Sequence, residues 1–205
     1  MPRYVDPLTR RMEITSAAMR ILARGGPQAL TLKSLAEELG GSITLVTHFI
    51  SNRAELFTAV VDDLTDSYDE ELRKADEGLH GVERLWRLLL WLSPSGPDEI
   101  EAERARINLI SHRHEHPSID HFFDSMEERM RALLRDRLSG LVPDDDLDHA
   151  AGFLRAVTNG LTLSAVEHPD LWPADRVEQA LRTAVRGLGL EAPASTDEAD
   201  VAALA

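Results

Sequence analysis

Apolar residues return at every third or fourth position along most of this chain, and nowhere do valine and isoleucine alternate as a half-buried strand requires, which restricts the fold to packed helices. The first such stripe, Ile14, Ala17, Ala18, Ile21 and Leu22, follows Asp6-Pro7, an N-cap with proline at the first helical position. Gly25-Gly26 and Pro27 stop it, because glycine accepts left-handed cap geometry and proline cannot continue the hydrogen-bond ladder. The spacing predicts one helix over 8–24 and others over about 82–92, 98–115, 118–139, 145–166 and 174–188. The later breaks all bear proline: SPSGPD at 93–98, His116-Pro117, LVPDDD at 141–146 and HPDLWP at 168–173.

Two short helices follow the first. Thr31 caps LKSLAEEL, whose Leu32, Leu35, Ala36 and Leu39 share a face, and Gly40-Gly41 ends it. Ser42 caps ITLVTHFI, and Asn52 with Glu55 three residues on starts a fourth helix reaching to about Ala75. Short helices joined by a glycine-bearing turn are the mark of a helix-turn-helix. At about 100° per residue, Ile43, Thr44, Thr47 and His48 point one way, while Ser42, Leu45, Val46 and Phe49 point the other way, into the protein. The outward set suits a DNA major groove: isoleucine for thymine methyls, hydroxyl and imidazole groups for base edges and phosphates, and no carboxylate to repel the backbone. Lys33 and Arg53, at the starts of the second and fourth helices, are placed to meet phosphates. Free N–H groups near the caps Thr31 and Asn52 are expected to add to this.

The chain has 205 residues and a formal net charge of −14, which alone argues against a polyanionic partner. The distribution points the other way. Residues 1–61 hold seven lysines and arginines against five carboxylates, whereas the remainder holds 15 against 31, so the segment expected to meet DNA is the less acidic one. With no cysteine, the chain has no disulfide framework, thiolate nucleophile or cysteine-ligated zinc, and a reducing compartment fits. The longest apolar run, LWRLLLWL, is interrupted by Arg87 and too short to span a bilayer, so no membrane is expected and the location expected is cytoplasmic.

Residues about 10–57 resemble the DNA-binding domain of the TetR family of transcriptional regulators, through Ile14, Ala17-Ala18, Gly26, Thr31-Leu32, Leu35-Ala36, Gly40, Ser42, Thr44-Leu45, His48-Phe49, Asn52-Arg53 and Leu56. Thr47 and Ile50 stand where that family commonly carries aromatic residues. The resemblance implies an all-α fold, a helix-turn-helix domain over 1–57 and a helical effector-binding and dimerisation domain over 58–189. The small, acidic segment 190–205 reads as a mobile tail. It also implies DNA contacts from Ser42, Ile43, Thr44, Thr47, His48 and Arg53, a double-stranded operator, and a largely apolar small-molecule effector in a cavity among the later helices. Trp86, Leu89, Leu90, Ile107, Ile110, Phe122, Met126 and Phe153 are candidates to line that cavity, although such residues also form ordinary cores.

The last two helices carry Leu154, Val157, Leu161, Val177, Leu181 and Val185, with small residues between, a pattern for close helix packing in a homodimer or in the core of one chain. Two other functions compete. An all-helical metal-dependent enzyme would use HRHEHP, with His112 and His116 four apart and His114 or His121 beside them, but no acidic partner stands at zinc spacing, and neither a metal nor another cofactor is expected. A helical interaction module that does not bind DNA would fit the missing aromatic at Thr47.

Overall fold

The computed structural model describes residues 7–193 other than 53, 61, 63–67, 69–71, 73, 75, 95, 112 and 116; His112, His116, Arg53 and the expected tail from 194 onward lie outside the described residues. Among those described, helices carry the fold and the pairing of extended backbone is limited to one isolated bridge between Ser139 and Val142.

Helix α1 spans Pro7–Ala29 and does not stop at Gly25 as the sequence suggests. It breaks at Gly26, whose φ of 65° and ψ of −173° leave helical geometry, and Pro27 then opens one further turn. The two glycines have different work. Gly26 supplies the left-handed φ, and at Gly25 a Cβ would meet the Ala29 Cβ at 2.6 Å. The stripe Ile14, Ala17, Ala18, Ile21 and Leu22 is buried, as its spacing requires.

Helix α2, Leu32–Glu38, begins in a reciprocal cap: the Thr31 hydroxyl accepts from the Ser34 N–H, and the Ser34 hydroxyl accepts from the Thr31 N–H, each at 3.0 Å. Helix α3, Ile43–Thr47, follows across the turn at Gly40, and α2 packs against both α1 and α3. The described helical residues 54–60 form α4, where the Glu55 N–H donates to the Asn52 side-chain oxygen at 2.9 Å.

Next come α5 (Gly81–Trp91), α6 (Pro97–Ile110), α7 (Pro117–Leu138), α8 (Leu147–Glu167) and α9 (Ala174–Gly187). Helix α6 ends five residues before its expected limit at 115, and a 3-10 turn at Arg113–Glu115 lies in the interval. Asp144–Asp146 form another 3-10 turn leading into α8.

The chain divides into two compact units, Met1–Ser67 with Glu101–Asp124, and Tyr68–Ile100 with Ser125–Ala205. The expected boundary after residue 57 follows chain order, whereas the first unit also recruits most of α6 and the first turns of α7. The second unit is built on an apolar cluster in which Leu85 and Leu89 of α5, Leu134 and Leu138 of α7, Leu154 and Leu161 of α8, and Leu181 and Val185 of α9 are all buried. The Thr162 hydroxyl donates to the Leu92 carbonyl at 3.3 Å within it. Arg137 is buried at the edge of this unit with Asp76 and Asp136 as partners, and burying a cation is costly unless it is paired in this way. Residues 190–193, expected in the mobile tail, are instead folded back: Leu190 and Ala192 pack on the cluster, and Arg182 donates to the Pro193 carbonyl at 2.5 Å.

Candidate nucleic-acid interface

The candidate DNA-facing surface is set by how α3 is anchored. Val46 and Ile50 are buried at 1% and 4% exposure, and this back leaves Ser42, Ile43, Thr44, Thr47 and His48 all exposed. Ile43 is 48% exposed, an apolar side chain on this face that suits contact with thymine methyls. The Thr47 hydroxyl donates to the Thr44 carbonyl at 3.3 Å. Thr31 and Lys33 are exposed at the start of α2, and the Lys33 ammonium stands 3.9 Å from Glu37, an exposed pair that yields readily to a phosphate.

Phe49 and Ser42 depart from the expected arrangement. Both were placed on the buried side by the 100° projection, and both are exposed, Phe49 at 41% with its ring edge-on to His48 at 5.2 Å. The projection holds only while the helix does. Helix α3 ends at Thr47, and the Phe49 N–H bonds the Val46 carbonyl three residues back at 2.9 Å, a tighter turn that swings Phe49 outward. Free amides at the helix starts are likewise fewer than expected, since Ser34 N–H is taken by Thr31 and Glu55 N–H by Asn52.

An ion-pair clasp that the sequence reading missed fixes α2 to α1. Glu38 accepts from Arg20 at 2.8 Å and from Arg24, residues 18 and 14 positions away, a separation that no local pattern reveals. Those hydrogen bonds, Arg20's first and then Arg24's, hold the Glu38 carboxyl below the usual carboxylate range. A lowered folded value means the clasp helps the folded head above the ordinary carboxylate range and is lost as pH falls through the lowered value. The fall in thermal midpoint between about pH 7 and about pH 3 should therefore be smaller in Glu38→Gln than in the parent protein; an equal fall would show that the clasp contributes nothing.

The other sequence candidates are scattered. Trp86 and Leu89 lie in the buried cluster of the second unit with Leu90 packed against it, Phe122 and Met126 are buried, and Ile107 is half-buried. Ile110 and Phe153, expected in an enclosed cavity, are exposed at 40% and 45%. Phe153 borders an open groove of about 340 Å³ together with Val142, Pro143, Asp146, His149 and Leu188. One face of Trp86 is already covered by the Arg182 guanidinium at 4.8 Å. The expected dimer residues need correction: Leu154, Leu161, Val177, Leu181 and Val185 are each at most 6% exposed within one chain and Val157 packs against the same cluster, so this stripe closes the core of a single chain. Near the histidines, Asp120 is committed to Arg113 at 2.9 Å, which holds its carboxyl below the usual range, and no three potential metal ligands converge among the described residues.

Fold and exposed face together define a DNA-binding regulator whose helix-turn-helix is joined to a separate helical body. Residues 81–190 match the family model described as BetI-type transcriptional repressor, C-terminal. The chain is 24% identical to the HTH-type transcriptional regulator PksA of Bacillus subtilis (strain 168) over 93% of its own length and 95% of that protein. A transcriptional regulator from Rhodococcus sp. Rha1 shares the fold with a TM-score of 0.77 at 21% identity, over 87% of this chain and 95% of that one. A putative transcriptional regulator from Saccharomonospora viridis, solved in complex with choline, does so with a TM-score of 0.72 at 20% identity, over 86% and 95%. The chain belongs to the TetR family of transcriptional regulators, with a BetI-type C-terminal region. Its relatives are regulators, and the enzyme reading finds no support among them.

Proposed function

We propose that this regulator is a repressor that binds a palindromic operator as a homodimer and is released by a small, largely apolar effector. The observation that carries the DNA half is the outward face of α3, Ile43, Thr44, Thr47 and His48, held by a buried Val46. Phe49 joins that face, and its ring adds apolar surface for thymine methyls beside the His48 imidazole. Two copies related by a two-fold axis would set two such faces roughly 34–36 Å apart, one helical turn of DNA.

The pairing surface is the side of α8 turned away from the core. Phe153, Ala156, Gly160 and Leu163 fall at helical intervals and are all exposed; nothing lies within 4 Å of a Cβ built on Gly160, so a second α8 has room to approach there. The effector half draws on the Saccharomonospora viridis protein of the same fold, which was solved in complex with the small organic molecule choline. Candidate lining residues within the second unit are Trp86, Leu89, Leu90 and Met126. No helix of the described residues is long and apolar enough to cross a membrane, and a DNA-reading protein without cysteine suits the cytoplasm.

Selection of bound fragments from random DNA should return an inverted repeat, and recovery of no enriched sequence would sink the operator reading. Lys33→Ala and Arg53→Ala should weaken binding on every sequence and lower the salt slope by about one each. Thr44→Ala and His48→Ala should instead change which bases are preferred, with about 1–3 kcal/mol of discrimination lost per altered contact. Uniform losses from the second pair would show that α3 reads only backbone.

A further inference from the structure

We propose that Asn108 of α6 is the positioning residue that sets the orientation of the DNA-reading head, by capping the broken end of α1. The inference deepens the regulatory reading above and rests on it for its biological sense.

The reason lies in the break at Gly26. Pro27 has no N–H, so the Ala23 carbonyl, which stands four residues before it, loses the donor that a continuous helix would provide. Gly26 turns the chain away at φ 65° in the same step. Leu22 and Ala23 are buried at 0% and 6% exposure, and a buried carbonyl without a donor is costly. The side-chain amide of Asn108 meets that need, donating to the Leu22 carbonyl at 3.2 Å and the Ala23 carbonyl at 3.1 Å across 86 and 85 positions of sequence. One NH2 group has two hydrogens and bonds two acceptors, so the fit is complete. It is also specific to one register of α6, because the neighbouring residues are Ile107 and Leu109, neither of which has a donor.

The contact is lost if α6 turns or slides, since neither neighbouring side chain can replace the donor. Helix α6 carries residues of both compact units, 97–100 in one and 101–110 in the other, and Asn108 lies three turns along it. A rotation or slide of α6 that withdraws the amide leaves the last turn before Gly26 uncapped and frees the segment from Pro27 through α3 to change its angle.

Because the chain has no cysteine, Glu37→Cys on α2 and Arg104→Cys on α6, both exposed, give a uniquely spin-labelled pair in the full-length protein, diluted with unlabelled chains. The parent should show one narrow distance. Asn108→Leu, which lacks the donor, and Asn108→Asp, whose carboxylate repels both carbonyls, should each broaden or displace it, and each should lower affinity for a selected operator about tenfold at temperatures well below unfolding. A lowered thermal midpoint with an unchanged distance and unchanged affinity would make Asn108 a structural cap only and overturn the proposal. The distance measurement needs no DNA. A parent protein that binds no DNA would therefore sink the regulatory reading by itself, while the label pair still decides whether Asn108 orients the head.

Discussion

Leu163→Asp should convert the protein to a monomer and leave its fold intact. Leu163 is 44% exposed on the outer side of α8, in line with Phe153, Ala156 and Gly160, so a carboxylate there meets water in the single chain and meets its own copy across a two-fold axis. Light scattering behind size exclusion would read the mass, and the thermal midpoint of the dissociated chain would confirm that it still folds. Operator affinity should fall about 10²- to 10⁴-fold, since the second head would no longer bind as an intramolecular step. The strength of this test lies in its pairing of two readouts: a protein that remains dimeric, or a monomer that binds the full operator as tightly as before, would show that the partner sits elsewhere.

Leu181→Ala should act in the opposite manner, with a loss of about 2–5 kcal/mol of stability. Leu181 has no exposed surface and sits among Leu85, Leu154, Val177 and Val185, a neighbourhood that cannot collapse onto the missing methyl groups without moving three helices. Denaturant unfolding followed at two protein concentrations separates core from interface. A core residue lowers the midpoint equally at both concentrations, whereas an interface residue lowers it through the concentration-dependent step. Had Leu181 served the interface, as its place in the apolar stripe of α9 suggested, the second pattern would be expected.

The contrast between Leu163 and Leu181 marks where sequence information stopped. Periodicity showed that α8 and α9 each carry an apolar stripe, and caps and prolines placed their ends to within a few residues. It did not show what covers the stripe, because a neighbouring helix of the same chain and a helix of a second copy bury the same kind of surface. At α3 the projection succeeded for Ile43, Thr44, Thr47 and His48, whose directions follow from helical geometry alone, and failed for Phe49, where the helix had already tightened into a turn. The order and spacing from Ile14 to Leu56 were enough to suggest the family.

What the amino-acid order determined by itself was therefore local: the helical class, the caps at Thr31 and Asn52, the outward face of α3 and its mildly basic surroundings. The tertiary structure alone decided which apolar stripe is core, which carboxylate holds α1 to α2, and which amide caps the break at Gly26, because those partners lie from 14 to 86 positions apart and meet only when the helices pack. Local rules act over one or two turns of helix, and every such long-range pairing depends on packing that no single stretch of sequence contains.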